Sequence, residues 1–213
     1  IFSKVTAEKF IHNIIFKRIS PSLIFVSNNF RFGNKRKGNV SLLKKFSKKY
    51  NYRLINTKAL KYKEKIISST RIRKYLQNGH LDLANTLLSR TWFIEGIVRK
   101  GKKLGKKLGY PTCNINIKNY VLPKIGIYVV KVLIEKNKKI FDGIAYLGYR
   151  PTFGGKEIVL EVNIFGIKQN LYKRTLRVYF LKFIRGEQKF IDSTSLMKQM
   201  NKDVIFAKKS LKT

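Results

Sequence analysis

The hydrophobic pattern of this 213-residue chain changes period near Leu88, and that change limits what it can fold into. Before it, apolar stretches alternate between helical and extended spacing. Ala7–Lys17 carries Phe10, Ile11, Ile14 and Ile15 at helical intervals, and Ser22–Ser27 (SLIFVS) reads as a short strand. Val40–Tyr50 reads as a helix, YRLINT as a strand, Thr70–Gln77 as a helix stopped by Gly79, and Leu81–Leu88 as a further short helix. Strands alternating with helices predict an α/β domain with an open, parallel sheet over residues 1–88. After Ser89 the segments Trp92–Arg99, Ile127–Glu135, Lys139–Leu147, Ile158–Phe165 and Leu176–Ile184 are β-rich and separated by Gly, Pro and Asn. They predict an antiparallel barrel or sandwich over residues 89–213. Ser195–Leu211 returns to helical spacing, with Leu196, Met200, Val204, Ala207 and Leu211 on one side, and predicts a C-terminal helix.

Apolar residues make up 44% of the chain, enough for packed cores in one large or two small domains. One cysteine, Cys113, excludes an internal disulfide, and with only two histidines a structural zinc site is not expected. No apolar run reaches the roughly 18 residues of a membrane span, and no charged-then-apolar leader opens the chain, so a cytoplasmic location without a membrane partner is expected. The opening at Ile1 reads as the interior of a longer protein. The formal net charge of +36 leaves three causes open. It fits the lysine-rich drift of an AT-rich genome, a nucleic-acid partner bound by counterion release, or attraction to small anions such as nucleotides.

Three stretches carry candidate chemistry. In GKKLGKKLGYPTCN (Gly101–Asn114) glycines recur every four residues among Lys102, Lys103, Lys106 and Lys107. A Walker loop needs four residues between its glycines, a hydroxyl after the lysine and a following helix, and this stretch has none of these. The ingredients of anion binding remain: glycines let backbone N–H groups approach a phosphate, and lysines supply charge. An extended Tyr110–Ile115 would put Thr112 and Asn114 on one face, where both could serve Mg²⁺. A lysine-rich hairpin is the alternative. In IVLEVNIFG, Ile158, Leu160, Val162 and Ile164 take one face and Val159, Glu161, Asn163 and Phe165 the other. Glu161 is then either a general base or a solvated strand residue paired with a lysine. In ISSTRIR, hydroxyls precede a helix whose first turn holds Arg71 and Arg73; the choice is an anion site or an ordinary N-cap.

Taken in order, these stretches resemble the prokaryotic bifunctional riboflavin kinase/FAD synthetase family. GKKLGYPTCNI is similar to the kinase signature, VLPKIGIYVVKV, GIAYLGYRPTFGG and LEVNIF to the segments after it, and LYKRTLRVYFLKFIRGEQKF to the last strand and the approach to the helix. The resemblance implies a riboflavin-kinase-like β-barrel with a C-terminal helix. It also implies ATP as co-substrate with Mg²⁺, riboflavin as substrate and FMN as product. Gly101, Gly105, Lys106, Gly109, Pro111, Thr112 and Asn114 would bind nucleotide, Thr112 and Asn114 would also hold the metal, and Glu161 would be the catalytic base. Arg185, Glu187 and Phe190 would contact the flavin. FVSNNFRFGNKRKGN and ISSTRIRKYLQNG are similar to the adenylyltransferase half, a partial Rossmann-like nucleotidyltransferase domain. They assign Asn29, Arg31, Phe32, Gly33, Ser68, Ser69, Thr70 and Arg73 to a vestigial adenylyltransferase site. That half lacks its first strand and histidine motif here, and Asn29 stands where aspartate is usual, so FAD synthesis is expected to be lost or incomplete. Lys106 replaces an arginine, Cys113 an alanine, Asn163 a histidine and Lys173 a glycine. The rival expectation is a non-catalytic, basic RNA-binding barrel, although no motif for a specific nucleic-acid partner is present.

Overall fold

A computed structural model describes residues 2–101, 105, 108–117, 120–135, 138–152, 155–167 and 169–212. The chain divides into two compact units, Ile1–Ile67 and Ser68–Thr213.

In the first unit, α1 (Ala7–Phe10) starts at Thr6, whose hydroxyl accepts from the Lys9 N–H at 3.3 Å. It continues as a π-helical stretch, Ile11–Ile19, that ends where Ser20 turns left-handed. The strands β1 (Leu23–Ser27) and β2 (Arg53–Thr57) pair in parallel, Leu23 opposite Arg53 through Ser27 opposite Thr57. Between them lies α2 (Val40–Lys49), capped by the Asn39 side chain on the Leu42 N–H at 2.9 Å. Ala7, Ile11, Ile15, Val26, Phe32 and Leu43 form the buried centre. A small hairpin, β3 (Lys61–Tyr62) and β4 (Lys65–Ile66), follows. Its two turn residues, Lys63 and Glu64, have φ of 48° and 58°, positions where Gly or Asn would be the usual signal, so sequence reading missed it.

The second unit opens with α3 (Ser69–Gln77) and α4 (Leu81–Leu88), which pack on each other. The Asn85 amide donates to the Phe180 carbonyl at 3.2 Å and its oxygen accepts from the Trp92 N–H at 2.7 Å. Although α3 and α4 lie before the change of hydrophobic period, they belong to the same compact unit as the strands after it.

Six strands follow: β5 (Phe93–Arg99), β6 (Cys113–Ile115), β7 (Gly126–Ile134), β8 (Lys139–Thr152), β9 (Gly155–Ile164) and β10 (Thr175–Arg185). They close into a barrel in the order β10-β5-β6-β9-β8-β7 with antiparallel neighbours throughout. Alternation decides the inside. Ile94 and Val98, Tyr128 to Ile134 at every second position, Ala145 and Leu147, Leu160 to Ile164, and Leu176 to Phe180 fill it. Trp92 and Tyr128 pack edge-on against Phe180 at centroid distances of 5.1 and 5.0 Å. The last element, α5 (Ser193–Leu211), is capped by Asp192 and packs outside β7 and β8.

Candidate active site

The outward face of the barrel carries one continuous row of cross-strand partners. Arg185 on β10 faces Ile127 on β7, Ile127 faces Tyr146 on β8, and Tyr146 faces Glu161 on β9. Glu161 in turn faces Asn114 on β6, and Asn114 faces Arg99 on β5. Directly opposed residues project on the same side of a sheet, so the row gathers side chains from six strands. Two register shifts in β10, between Phe180 and Lys182 and between Phe183 and Arg185, set its end. Without them, counting on from the Phe180–Val130 pair would bring Phe183, not Arg185, opposite Ile127. Bulges that re-aim a side chain in this way are common beside functional sites.

At the polar end, the Thr112 hydroxyl donates to Glu161 Oε2 at 3.3 Å. Thr112 comes from the residues leading into β6, and the Pro111 carbonyl beside it accepts from Asn163 Nδ2 at 2.6 Å. Two glycines make close approaches here. A Cβ on Gly105 would strike the Tyr110 carbonyl and stand 3.3 Å from Thr112 Oγ1, and one on Gly101 would overlap the Asn114 amide. Gly109 is needed for a different reason, its φ of 84°.

Asn114 Oδ1 is buried and, among the described residues, has no hydrogen-bond partner. Together with the Thr112 hydroxyl it offers uncharged oxygen ligands of the kind Mg²⁺ accepts alongside phosphate oxygens and waters. Among the described residues no group of three or more His, Cys, Asp or Glu side chains gathers to hold a metal unaided. The donor set therefore fits an ion that arrives with a phosphate-bearing ligand.

Thr112, Glu161 and Asn163 open onto a cavity of about 720 Å³, with Asn114 opposite Glu161 on the neighbouring strand. Leu108, Ile127, Ile144, Phe190, Leu196 and Met200 supply apolar lining. Arg185, Glu187 and Phe190 line it too. The Arg185 guanidinium is committed to Asp203 of α5, with Nη2 2.7 Å from Oδ2 and Nε within 3.1 Å of both carboxylate oxygens. Asp203, 4% exposed, also accepts from Gln199 Nε2 at 2.9 Å. Arg185 thus anchors the helix that forms one wall of the cavity, and its ring neighbour Phe190 lies 5.8 Å away.

The structure therefore brings together Gly101, Gly105, Pro111, Thr112, Asn114, Glu161, Arg185, Glu187 and Phe190 in one region. Lys106, with Lys102, Lys103 and Lys107, lies outside the described residues. Sequence reasoning missed Tyr146 and Asp203. Tyr146 was visible only as one position of GIAYLGYR, and Asp203 only as an acid among the lysines of a helix.

The other candidate residues fall in two units. In the first, Phe32 is buried against Phe10, Gly33 has φ of 72° with the Ala7 backbone where its Cβ would be, and Asn29 Oδ1 accepts from the Ser27 hydroxyl at 2.7 Å. Arg31 is exposed and donates to the Phe30 carbonyl at 3.2 Å. In the second, Ser68 is the N-cap of α3, its hydroxyl accepting from the Arg71 N–H at 3.2 Å; Ser69, Thr70 and Arg73 lie in the first turns.

Comparison with known proteins agrees with this architecture. The riboflavin kinase family model matches residues 88–211, and the FAD synthetase model matches residues 1–71. Bifunctional riboflavin kinase/FMN adenylyltransferases are similar throughout. The protein of Buchnera aphidicola from Schizaphis graminum is 42% identical over 98% of this chain and 67% of its own length. That of Haemophilus influenzae is 37% identical over 97% and 67%, and that of Escherichia coli K12 34% over 97% and 66%. A crystal structure described as a macrolide-efflux protein from Streptococcus pneumoniae shares the fold with a TM-score of 0.83 at 31% identity, covering 97% of this chain and 66% of that one. The chain spans about two thirds of the length of these relatives. It belongs to the bifunctional riboflavin kinase/FMN adenylyltransferase family.

Proposed function

We propose that this chain phosphorylates riboflavin, with Glu161 as the base and Thr112 and Asn114 at the phosphate end of the site. The observation that carries the reading is the meeting of these three side chains, Thr112 bonded to Glu161 and Asn114 opposite it on the next strand, with Thr112 and Glu161 lining a cavity whose walls include many apolar side chains. Phosphoryl transfer demands little covalent chemistry from a protein and much positioning. The apolar lining suits the flavin ring, leaving the 5′-hydroxyl to reach Glu161. The Glu161 carboxylate takes the proton of that hydroxyl as the oxygen forms its bond to the γ-phosphorus and the bond to ADP breaks. The Thr112 hydroxyl orients the carboxylate, and the glycines at 101 and 105 let their backbone lie against the Asn114 side chain and the Tyr110–Thr112 segment. Mg²⁺, held by Thr112, Asn114 and the nucleotide, would neutralise phosphate charge.

The match of the kinase model from residue 88 supports a functional division into 1–88 and 89–213, even though α3 and α4 are compact with the barrel. For the first part we infer that adenylylation is lost or incomplete, because Asn29 is uncharged where the family usually has aspartate. We place the enzyme in the cytoplasm, acting on small molecules; among the described residues no helix is long and apolar enough to cross a membrane.

The test is incubation of the purified chain with riboflavin, ATP and Mg²⁺, with products separated by chromatography. FMN and ADP are expected, without FAD above background when FMN and ATP are supplied. A folded chain that binds riboflavin yet yields no FMN would overturn the kinase reading, and FAD formation would overturn the reading of Asn29.

A further inference from the structure

We infer that Tyr146 is a positioning residue for the flavin side of the cavity: its phenol holds the Glu187 carboxylate and so ties the loop between β10 and α5 to the strand beside the base. The inference rests on the riboflavin kinase reading.

Three observations converge on it. Tyr146 stands between Ile127 and Glu161 in the cross-strand row, and all three line the cavity. Its Oη donates to Glu187 Oε1 at 2.5 Å, a bond between residues 41 apart in the chain. Gly148, two positions along the same strand and thus on the same face, makes the room for it. A Cβ there would overlap Tyr146 Oη and Cζ and stand 2.6 Å from Glu187 Oε1. Burial, then the hydrogen bond to Glu187 and the charges of Glu187 and Glu161, push the Tyr146 pKa up from a value at which the phenol is already protonated at neutral pH.

The loop held this way presents Glu187, Gln188, Lys189 and Phe190 to the cavity. It follows β10 and is tied to β8 through Tyr146, whereas Thr112 and Asn114 sit on β6 and its approach. Releasing the loop should therefore speed the departure of the flavin and leave the nucleotide end as it was. A hydrogen bond to a charged group is strong enough for its loss to be read in affinity.

The experiment is riboflavin binding followed by quenching of its own fluorescence, at equilibrium and in stopped flow, with steady-state kinetics alongside. Tyr146→Phe is expected to weaken riboflavin about tenfold, mainly through faster release, with KM for ATP unchanged. Gly148→Ala should reproduce this by displacing the tyrosine ring; if it fails to fold, Tyr146→Phe decides alone. A Tyr146→Phe/Glu187→Gln cycle should show coupling, with the second change costing less in the absence of the first partner. Wild-type release rates in Tyr146→Phe, or independent, multiplying effects in the cycle, would overturn the inference. A wild-type chain that binds no riboflavin is a different result and would overturn the kinase reading itself.

Discussion

A carboxylate held by a threonine hydroxyl is available for proton transfer in a way that one paired with lysine is not. Glu161 accepts from Thr112 and lines a cavity, in a chain where lysines and arginines outnumber acids 47 to 11. Glu161→Gln keeps the size of the side chain and removes the proton acceptor. It should lower kcat by ~10²–10⁴-fold while riboflavin and ATP binding stay within a few fold. Thr112→Ala acts elsewhere. It removes a candidate metal ligand, so the expected effect is a raised KM for MgATP, partly recovered at higher Mg²⁺. Near-normal turnover in Glu161→Gln would return the residue to the solvated strand carboxylate that its position in IVLEVNIFG also allows. That Thr112, Asn114 and Glu161 lie near one another was expected from the family resemblance of their stretches, and the structure sets Thr112 against Glu161 with Asn114 opposite it. Tyr146 and Asp203 were not, because their importance arises from partners 41 and 18 residues away, Glu187 and Arg185.

At the scale of elements, α5 is where local and long-range forces meet. Its N-cap is Asp192, whose carboxylate accepts from the Ser195 N–H at 2.6 Å. That backbone hydrogen bond, aided by the Ser195 side chain, holds the Asp192 pKa below the usual carboxylate value. A pKa depressed on folding means that the cap stabilises above the ordinary carboxylate pKa and loses its effect as pH falls through the folded value. Asp192→Ala should lower Tm by about 2–4 °C at neutral pH, and the gap from wild type should close in acid. A gap that persisted in acid would mean that the substitution acts through something other than the charged cap. Further along, Asp203→Ala leaves the Arg185 guanidinium without its carboxylate partner in a largely buried place. Breaking such a pair costs about 3–5 kcal/mol, so denaturant midpoints should fall far more than for Asp192→Ala. The course of α5, like that of β7, β9 and α4, was readable from periodicity. The bulges in β10 were not, since register shifts leave no mark on the pattern of one strand. An extended Tyr110–Ile115 was one reading of the sequence, but the pairing of the three-residue β6 with β5 and β9, which closes the barrel, was not readable.

For the whole molecule, the change of hydrophobic period near residue 88 carried the division into an α/β part and a barrel, because period 3.6 and period 2 bury different faces. Where compactness divides the chain was less legible. Asn85 bonds to the Trp92 and Phe180 backbones, and α4 is bound into the barrel unit by contacts that composition does not advertise. The net charge of +36 poses the last question at this scale. A surface so basic will attract any polyanion, and counterion release makes that attraction fall steeply with salt. If the charge reflects composition and not recognition, binding to single-stranded RNA should be indifferent to base sequence. It should weaken roughly a thousandfold or more as salt rises from about 50 to about 200 mM, while riboflavin binding in the same samples changes little, its pocket being walled mainly by apolar side chains. Filter binding across a salt series with two unrelated RNA sequences measures this directly. A sequence-selective complex that survives the higher salt would make nucleic-acid recognition a property of the protein, and would assign to its lysines a role that the cavity chemistry does not require.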